Sequence, residues 1–337
     1  MALLIRLLLS FQFILMACIS TAFASPASLD STQRRSKAQQ NGNAEVLHQF
    51  GKGTYVENIA VRSNDKLLVV LLTAPEVWEV DPITHSMPRL VYKFPGFTRV
   101  TGIIETKPDV FAILSGKPPL DTLGGLWALW ELDVGQPEAV ARKVVAKISG
   151  AGILNGLTNL NKRAVLASDT AKGVVYRFDL QTGAQEVAIK GLGLGLNGVR
   201  TRDGFLYYSN TLKKGISKVK INIDTGETVG KTTIYGLDSG LGTDDFALSA
   251  SGDAAYTCNQ FSNELIKVDL TQENAKYVSI AGSKKSGLLL GPTSAVFGRM
   301  ANTTNTIYVT TAGKSFVQLS TPKDHGNGGG KVVAVYL

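Results

Sequence analysis

Six short polar segments stand immediately ahead of apolar runs: Glu57-Asn58, Arg99 to Thr101, Asn155, Asn197, Asp244-Asp245 and Thr293. Such groups are out of character for positions about to enter a core. If the fold gathers them, the carboxylate and amide oxygens of Glu57, Asn155, Asn197 and Asp245 form a hard ligand set of the kind that suits calcium or magnesium. A second polar series offers Thr73 and Glu76, Asp169 and Lys172, Asn210 and Lys213, and Asn259 and Gln260. Each has a plainer reading beside it. Asn155-Gly156 and Asn197-Gly198 are turn dipeptides, Asp244-Asp245 can cap a turn, and Glu57 can face solvent. Other chemistries lack their residues. The three histidines, His48, His85 and His325, form no zinc-binding cluster with cysteine, and no G-x-S-x-G occurs. The GLGLG run from Gly191 is too short for a dinucleotide fingerprint.

These groups can meet only if the elements that carry them repeat around an axis. From residue 55 the chain does repeat: an apolar run, a polar turn, a strongly β-forming run, a loop, a third alternating strand and an Asp-containing turn. The third strands read VWEVDPIT, LWELDVG, VYRFDLQTG, KINIDTG and LIKVDLTQ, and their aspartates at 81, 133, 179, 224 and 269 are 52, 46, 45 and 45 residues apart. That is the length of a propeller blade. First strands are expected near Ile59, Gly102, Gly156, Gly198, Phe246 and Ser294, and second strands at KLLVVLL, DVFAIL, AVLAS, FLYYSN, AAYTCN and TIYVTT. Six starts predict an all-β, six-bladed β-propeller of four-stranded antiparallel blades over residues 45–337. The last copy stops at VVAVYL, its third strand, so Val46 to Phe50 is expected to complete that blade and close the ring. In this geometry Asn58, Asn210, Asn259, Phe246 and Phe261 join the mouth as candidate substrate contacts, and the loops GKPPLDTLGG and AGKSFVQLSTPKDHGNGGG form a candidate lid.

The chain has 337 residues, 18% charged and 44% hydrophobic, with 35 glycines and a net charge of +8, a globular composition rich in turns. The positive charge is scattered, which argues against nucleic-acid binding. Residues 1–24 read as a secretory signal peptide, with Arg6, an apolar stretch from Leu7 to Ile19, and Ala22-Phe23-Ala24. Residues 25–44 read as a polar arm, and Arg34-Arg35 as a candidate processing site. A secreted monomer without a membrane anchor is expected. Cys258 is then the single cysteine of the mature chain, and Asn302-Thr303-Thr304 is a glycosylation sequon.

ENIAVRSNDKLLVV from Glu57, PDVFAILSG, LNGLTNL, LNGVRTRDGFLYYSNT, DDFALSASGDAAY and GPTSAVFGR resemble the secreted fungal branch of the gluconolactonase/regucalcin-like propellers. Within that branch the chain is similar to the hetero-Diels-Alderases of tropolonic sesquiterpenoid biosynthesis. The resemblance implies a cofactor-free enzyme that makes or captures an ortho-quinone methide and cyclises it with a humulene-type alkene. It assigns Asp245 and Glu57 to proton handling, and Arg99, Lys172 or Lys213 to the tropolonate oxygens. The lactonases of the same superfamily imply an alternative, calcium-dependent hydrolysis with the metal on Glu57, Asn155, Asn197 and Asp245. That alternative is strained here, because Asn58-Ile59 follows Glu57 and Phe246 follows Asp245 where the lactonases carry Gly-Pro and Gly. A secreted propeller that only binds a small molecule is a third reading.

Overall fold

The computed structural model describes residues 43–117, 125–213, 215–236, 242–273, 276–313 and 328–337. The segment expected to be a signal peptide, most of the expected polar arm and most of both candidate lid loops lie outside the described residues.

Six four-stranded sheets, each antiparallel, account for every strand of the described chain. The inner strands are Val56–Val61, Arg99–Lys107, Leu154–Asn159, Leu196–Arg202, Thr243–Leu248 and Pro292–Phe297. They belong to blades one to six in that order. In blade six, Ala44–Gln49 pairs antiparallel with Lys331–Tyr336, so a strand that precedes blade one supplies the outermost strand and closes the ring. The expected architecture and its closure are both found.

The apolar second strands follow from what flanks them. In Leu67–Leu71 every residue is buried, with Leu67, Val69 and Leu71 packing toward blade six and Leu68 and Val70 toward blade two. Phe111 and Ile113 likewise enter the wedge between blades one and two, while Ala112 and Leu114 enter the next. Each blade is covered on both faces, so period-two geometry sorts side chains between two apolar wedges rather than between core and water. Six such wedges run around the ring.

Two expectations are corrected. The inner strands start two to three residues earlier than expected, so the polar residues placed ahead of them lie inside them. In blade four the turn carboxamide is Asn222, not Asp224. Asn222 Oδ1 accepts from the N–H groups of Asp224 and Thr225 at 2.8 and 3.3 Å, as Asp179 Oδ1 does from Gln181 and Thr182 at 2.9 and 2.8 Å. Asn and Asp both build this turn by binding backbone two residues on, so type alone cannot fix the register.

Asn302 and Thr304 of the sequon are exposed. Buried Asp65 shapes this turn by accepting from the backbone of Arg299 and Met300 and from the Thr303 hydroxyl.

Candidate functional site

Every inner strand carries a β-bulge near its first residues. Val56 and Asn58 face Leu71 and Val70, and Val100 and Gly102 face Ser115 and Leu114. Leu154 and Leu157 face Asp169 and Ala167, and the same two-against-one surplus recurs between Leu196 and Val199, Thr243 and Phe246, and Pro292 and Ser294. A bulge frees a residue from the ladder and re-aims its side chain. The residues so freed include Glu57, Thr101, Asn155, Asn197, Asp244, Asp245 and Thr293. The backbone donors released by bulging are recaptured: Gly156 N donates to Ser168 Oγ at 2.8 Å and Gly198 N to Ser209 Oγ at 2.9 Å.

This corrects the turn reading of Asn155-Gly156 and Asn197-Gly198, because both dipeptides lie in strands. Their glycines serve close approach between neighbouring blades. A Cβ on Gly156 would stand 2.8 Å from Asn197 O, and one on Gly198 would stand 2.8 Å from Asp245 Cα. On Gly102 it would stand 2.5 Å from Asn155 O.

Convergence at the axis is shown by hydrogen bonds between blades that are not neighbours. Asn155 of blade three donates to Glu57 Oε1 of blade one at 3.3 Å, and Asn58 of blade one donates to Asp245 Oδ2 of blade five at 3.1 Å. From blade six, Ser294 Oγ donates to Asn58 Oδ1 at 2.9 Å and lies 3.4 Å from Asp245 Oδ2. Arg200 of blade four places NH2 3.0 Å from the same Asp245 oxygen. Asp245 Oδ1 accepts from the N–H of Phe246 at 2.7 Å. Gln260 bridges Asp244 to the Tyr55 hydroxyl, the latter at 3.0 Å.

The electrostatics follow from crowding. Burial first, then the Asp245 charge, push the Glu57 carboxyl up to about 8, against the opposing pull of Arg99 and the Asn155 hydrogen bond. Burial and the charges of Glu57 and Asp245 likewise push Asp244 well above the carboxylate range. Glu57 Oε2 is buried and has no hydrogen-bond partner. The site therefore holds protons on carboxyl groups near neutral pH and can donate one to a leaving oxygen. It has no activated nucleophile among the described residues. Cys258 is buried, and its thiol is pushed up by burial and by the charges of Asp244 and Asp245.

The other expected residues divide between this cluster and the loops around it. Arg99 is buried near Glu57, on which its charge acts. Asn197 lies at the axial end of its strand and donates to Thr211 Oγ1 at 3.0 Å. Asn210 ties loops together, with Nδ2 3.1 Å from Leu194 O and Oδ1 accepting from Leu212 N at 2.9 Å. Asn259 Oδ1 accepts from Ser262 N at 3.3 Å in the same structural place. Phe246 does not line the mouth. It is fully buried between blades four and five with Tyr207, Ile216 and Val268, because the two bulged residues before it turn it into the wedge. Phe261 is exposed and lies beside Gly242 on the rim. Lys172 and Lys213 donate to Gly150 O and Leu192 O, which turns both ammonium groups toward inter-blade loops.

Sequence reasoning did not select Arg200, Tyr55 or Ser294. Only Arg200 carried a signal, since a cation at the centre of an otherwise buried inner strand asks for a partner.

The four residues proposed for a cation do not fit one as they stand. Asp245 Oδ2 is already taken by a guanidinium, a carboxamide and a hydroxyl. Among the described residues no group of three His, Cys, Asp or Glu side chains is arranged to hold a metal.

No protein-family model matches the chain. It is 28% identical over 321 residues to a protein of Sarocladium schorii named as a hetero-Diels-Alderase, covering 81% of this chain and 78% of that one. A second hetero-Diels-Alderase, from a Phoma species, is 26% identical over 312 residues, covering 79% and 85%. Among solved structures, a calcium-binding protein, regucalcin, from Agrobacterium tumefaciens matches with a TM-score of 0.62 at 14% identity over 86% of this chain and 92% of that one. A gluconolactonase of Xanthomonas campestris matches with 0.59 at 13%, over 87% and 89%. In fold the chain is thus a six-bladed propeller similar to those of regucalcin and gluconolactonase, and in sequence it is similar to proteins named as hetero-Diels-Alderases.

Proposed function

We propose that the chain is a cofactor-free hetero-Diels-Alderase of secondary metabolism, acting on a hydroxymethyl-tropolone and a humulene-type alkene. The observation that carries the acid-base part is the Glu57 carboxyl, buried, held protonated to about 8 and with Oε2 unpartnered. In the first step Glu57 donates its proton to the substrate's hydroxymethyl oxygen, the C–O bond breaks and water leaves. The ring hydroxyl then returns a proton to the Glu57 carboxylate, which leaves a neutral ortho-quinone methide and a restored acid. In the second step the enone and the alkene form one C–C and one C–O bond with no proton transfer. There the protein contributes orientation, for which roughly 7 to 11 kcal/mol is the upper range. Arg99 polarises the developing oxyanion. Asp245 is fixed by four donors and anchors the cluster. The substrates are small molecules, and the protein acts as a monomer in the secretory pathway.

The test incubates purified protein with the tropolone alcohol and the alkene, and measures cycloadduct and its enantiomeric excess against the protein-free reaction. Rate and selectivity above background support the reading. A racemic product at the background rate, from correctly folded protein, overturns it.

A further inference from the structure

The turn between the first two strands of blade six carries an asparagine with no part in building it. At the same turn of other blades the asparagine shapes the backbone. Asn64 Oδ1 accepts from Lys66 N at 3.1 Å, and Asn161 Oδ1 accepts from the N–H groups of Arg163 and Ala164 at 2.9 and 3.0 Å while its Nδ2 donates to Ile223 O at 2.8 Å. In blade six that task falls to other groups. Asp65, fully buried in the turn of blade one, accepts from Arg299 N at 2.7 Å, from Met300 N at 3.1 Å and from the Thr303 hydroxyl, and Thr303 N donates to Met300 O at 2.8 Å. Thr303 is thereby drawn inward, whereas Asn302 and Thr304 on either side of it are exposed. Among the described residues no hydrogen bond engages the Asn302 carboxamide, and the Thr304 hydroxyl makes only a long one, 3.4 Å to Ala301 O.

We propose that Asn302 is an N-glycosylation site. An exposed carboxamide followed two residues later by an exposed threonine hydroxyl is the acceptor pattern for that modification. The donor is an oligosaccharide carried on a polyprenyl diphosphate. Asn302 Nδ2 forms a bond to the anomeric carbon of the first sugar, the bond from that carbon to the diphosphate oxygen breaks, the polyprenyl diphosphate leaves, and the Nδ2 proton passes to solvent. The turn lies beyond Phe297, at the end of strand Pro292–Phe297 away from the axial cluster. A six-residue strand spans about 20 Å, so a glycan on this turn stands clear of the mouth. Modification in the native host rests on the secretory route proposed above, whereas the accessibility of Asn302 does not.

The experiment expresses the chain in a glycosylating yeast, once behind its own first 24 residues and once with a proven secretory leader in their place, and measures intact mass before and after peptide N-glycosidase acts on the undenatured protein. Behind the proven leader, wild type is expected to carry the mass of one oligosaccharide. The glycosidase should release it without denaturant, because the turn is exposed, and leave aspartate at position 302 in the peptide map. Asn302→Gln and Thr304→Ala are expected to lose the added mass entirely and Thr304→Ser to keep it. Melting point and turnover of Asn302→Gln should match those of wild type. Unmodified wild type behind the proven leader overturns the proposal, and so does added mass that survives Asn302→Gln. Added mass with the proven leader but none with the chain's own first 24 residues supports the site and overturns the secretory route instead.

Discussion

The molecule buries two ionic networks, one at each end of the inner strands, and they are opposite in sign. At the mouth, Glu57, Asp244 and Asp245 crowd together, and Glu57 and Asp244 are pushed upward. At the far end, Arg62 places NH1 2.7 Å from Glu79 and Nε 2.8 Å from Asp109, with Lys66 and Arg89 each 3.3 Å from Glu79. There burial works against ionisation, but the Arg62 hydrogen bond and the neighbouring cations outweigh it and hold Glu79 below its ordinary range. The Arg62 hydrogen bond does the same for Asp109. The fully buried carboxyls of Glu57 and Asp244 and the less deeply buried ones of Glu79 and Asp109 thus end in opposite protonation states, because burial dominates in a network with a surplus of acid and cations dominate in one with a surplus of base. The far network staples blades one and two, while the mouth stores protons.

The comparison can be broken most severely at Glu57. Glu57→Gln removes the proton store and is expected to slow the loss of water, and with it cycloadduct formation from the tropolone alcohol, roughly 100- to 1,000-fold. Its effect on stability runs the other way. The folded carboxyl sits near 8 against an ordinary 4.5, so the native state binds the extra proton and stability falls as pH rises between those values. Melting curves of Glu57→Gln should lose that decline. Arg62→Met takes from Asp109 its ion-pair partner and leaves Glu79 to Lys66 and Arg89, with an expected loss of about 2 kcal/mol in denaturant unfolding and unchanged turnover per folded molecule. Glu79 and Asp109, held low, contribute stability that is present above their unfolded values and lost as pH falls through their folded ones. The part of the acid decline in stability that these two groups supply should therefore be reduced in this variant.

A finer comparison uses two glycines on one blade. Gly198→Ala drives a methyl group into Asp245 and is expected to cost about 10- to 100-fold in turnover, because displacement by a fraction of an ångström misplaces the acid. Gly204→Ala, at the opposite turn, meets open space but has φ of 75°, so it should cost about 1 kcal/mol of stability and leave turnover alone. The smallest effect belongs to Arg89→Ala. Its side chain is 55% exposed, and its removal should change stability by less than about 0.5 kcal/mol at moderate salt.

Much of this arrangement was legible in the sequence, and the failures share a cause. Blade number, second strands and the closing strand follow from apolar runs of constant spacing. Glu57, Asn155 and Asp245 follow from their equivalent places in different repeats. Bulges are invisible to a pattern of period two, however, and one surplus residue turns every later side chain to the other face. That is why Phe246 was expected at the mouth and lies in a wedge, and why polar residues were placed before strands that contain them. Arg200 was missed because its partner is on another blade, 45 residues away in sequence, and no spacing within one repeat points to it.

The strand formed by Ala44–Gln49 also sets the order in which the ring can be completed. Its partner, Lys331–Tyr336, leaves the ribosome almost 290 residues later, so five blades are synthesised before the sixth can be joined. Until then blade one presents the apolar face that later packs on blade six, and blade six lacks its outermost strand, both surfaces prone to pair with another copy. Dilution and chaperone cover during that interval, more than the stability of the finished ring, should govern how much protein is recovered.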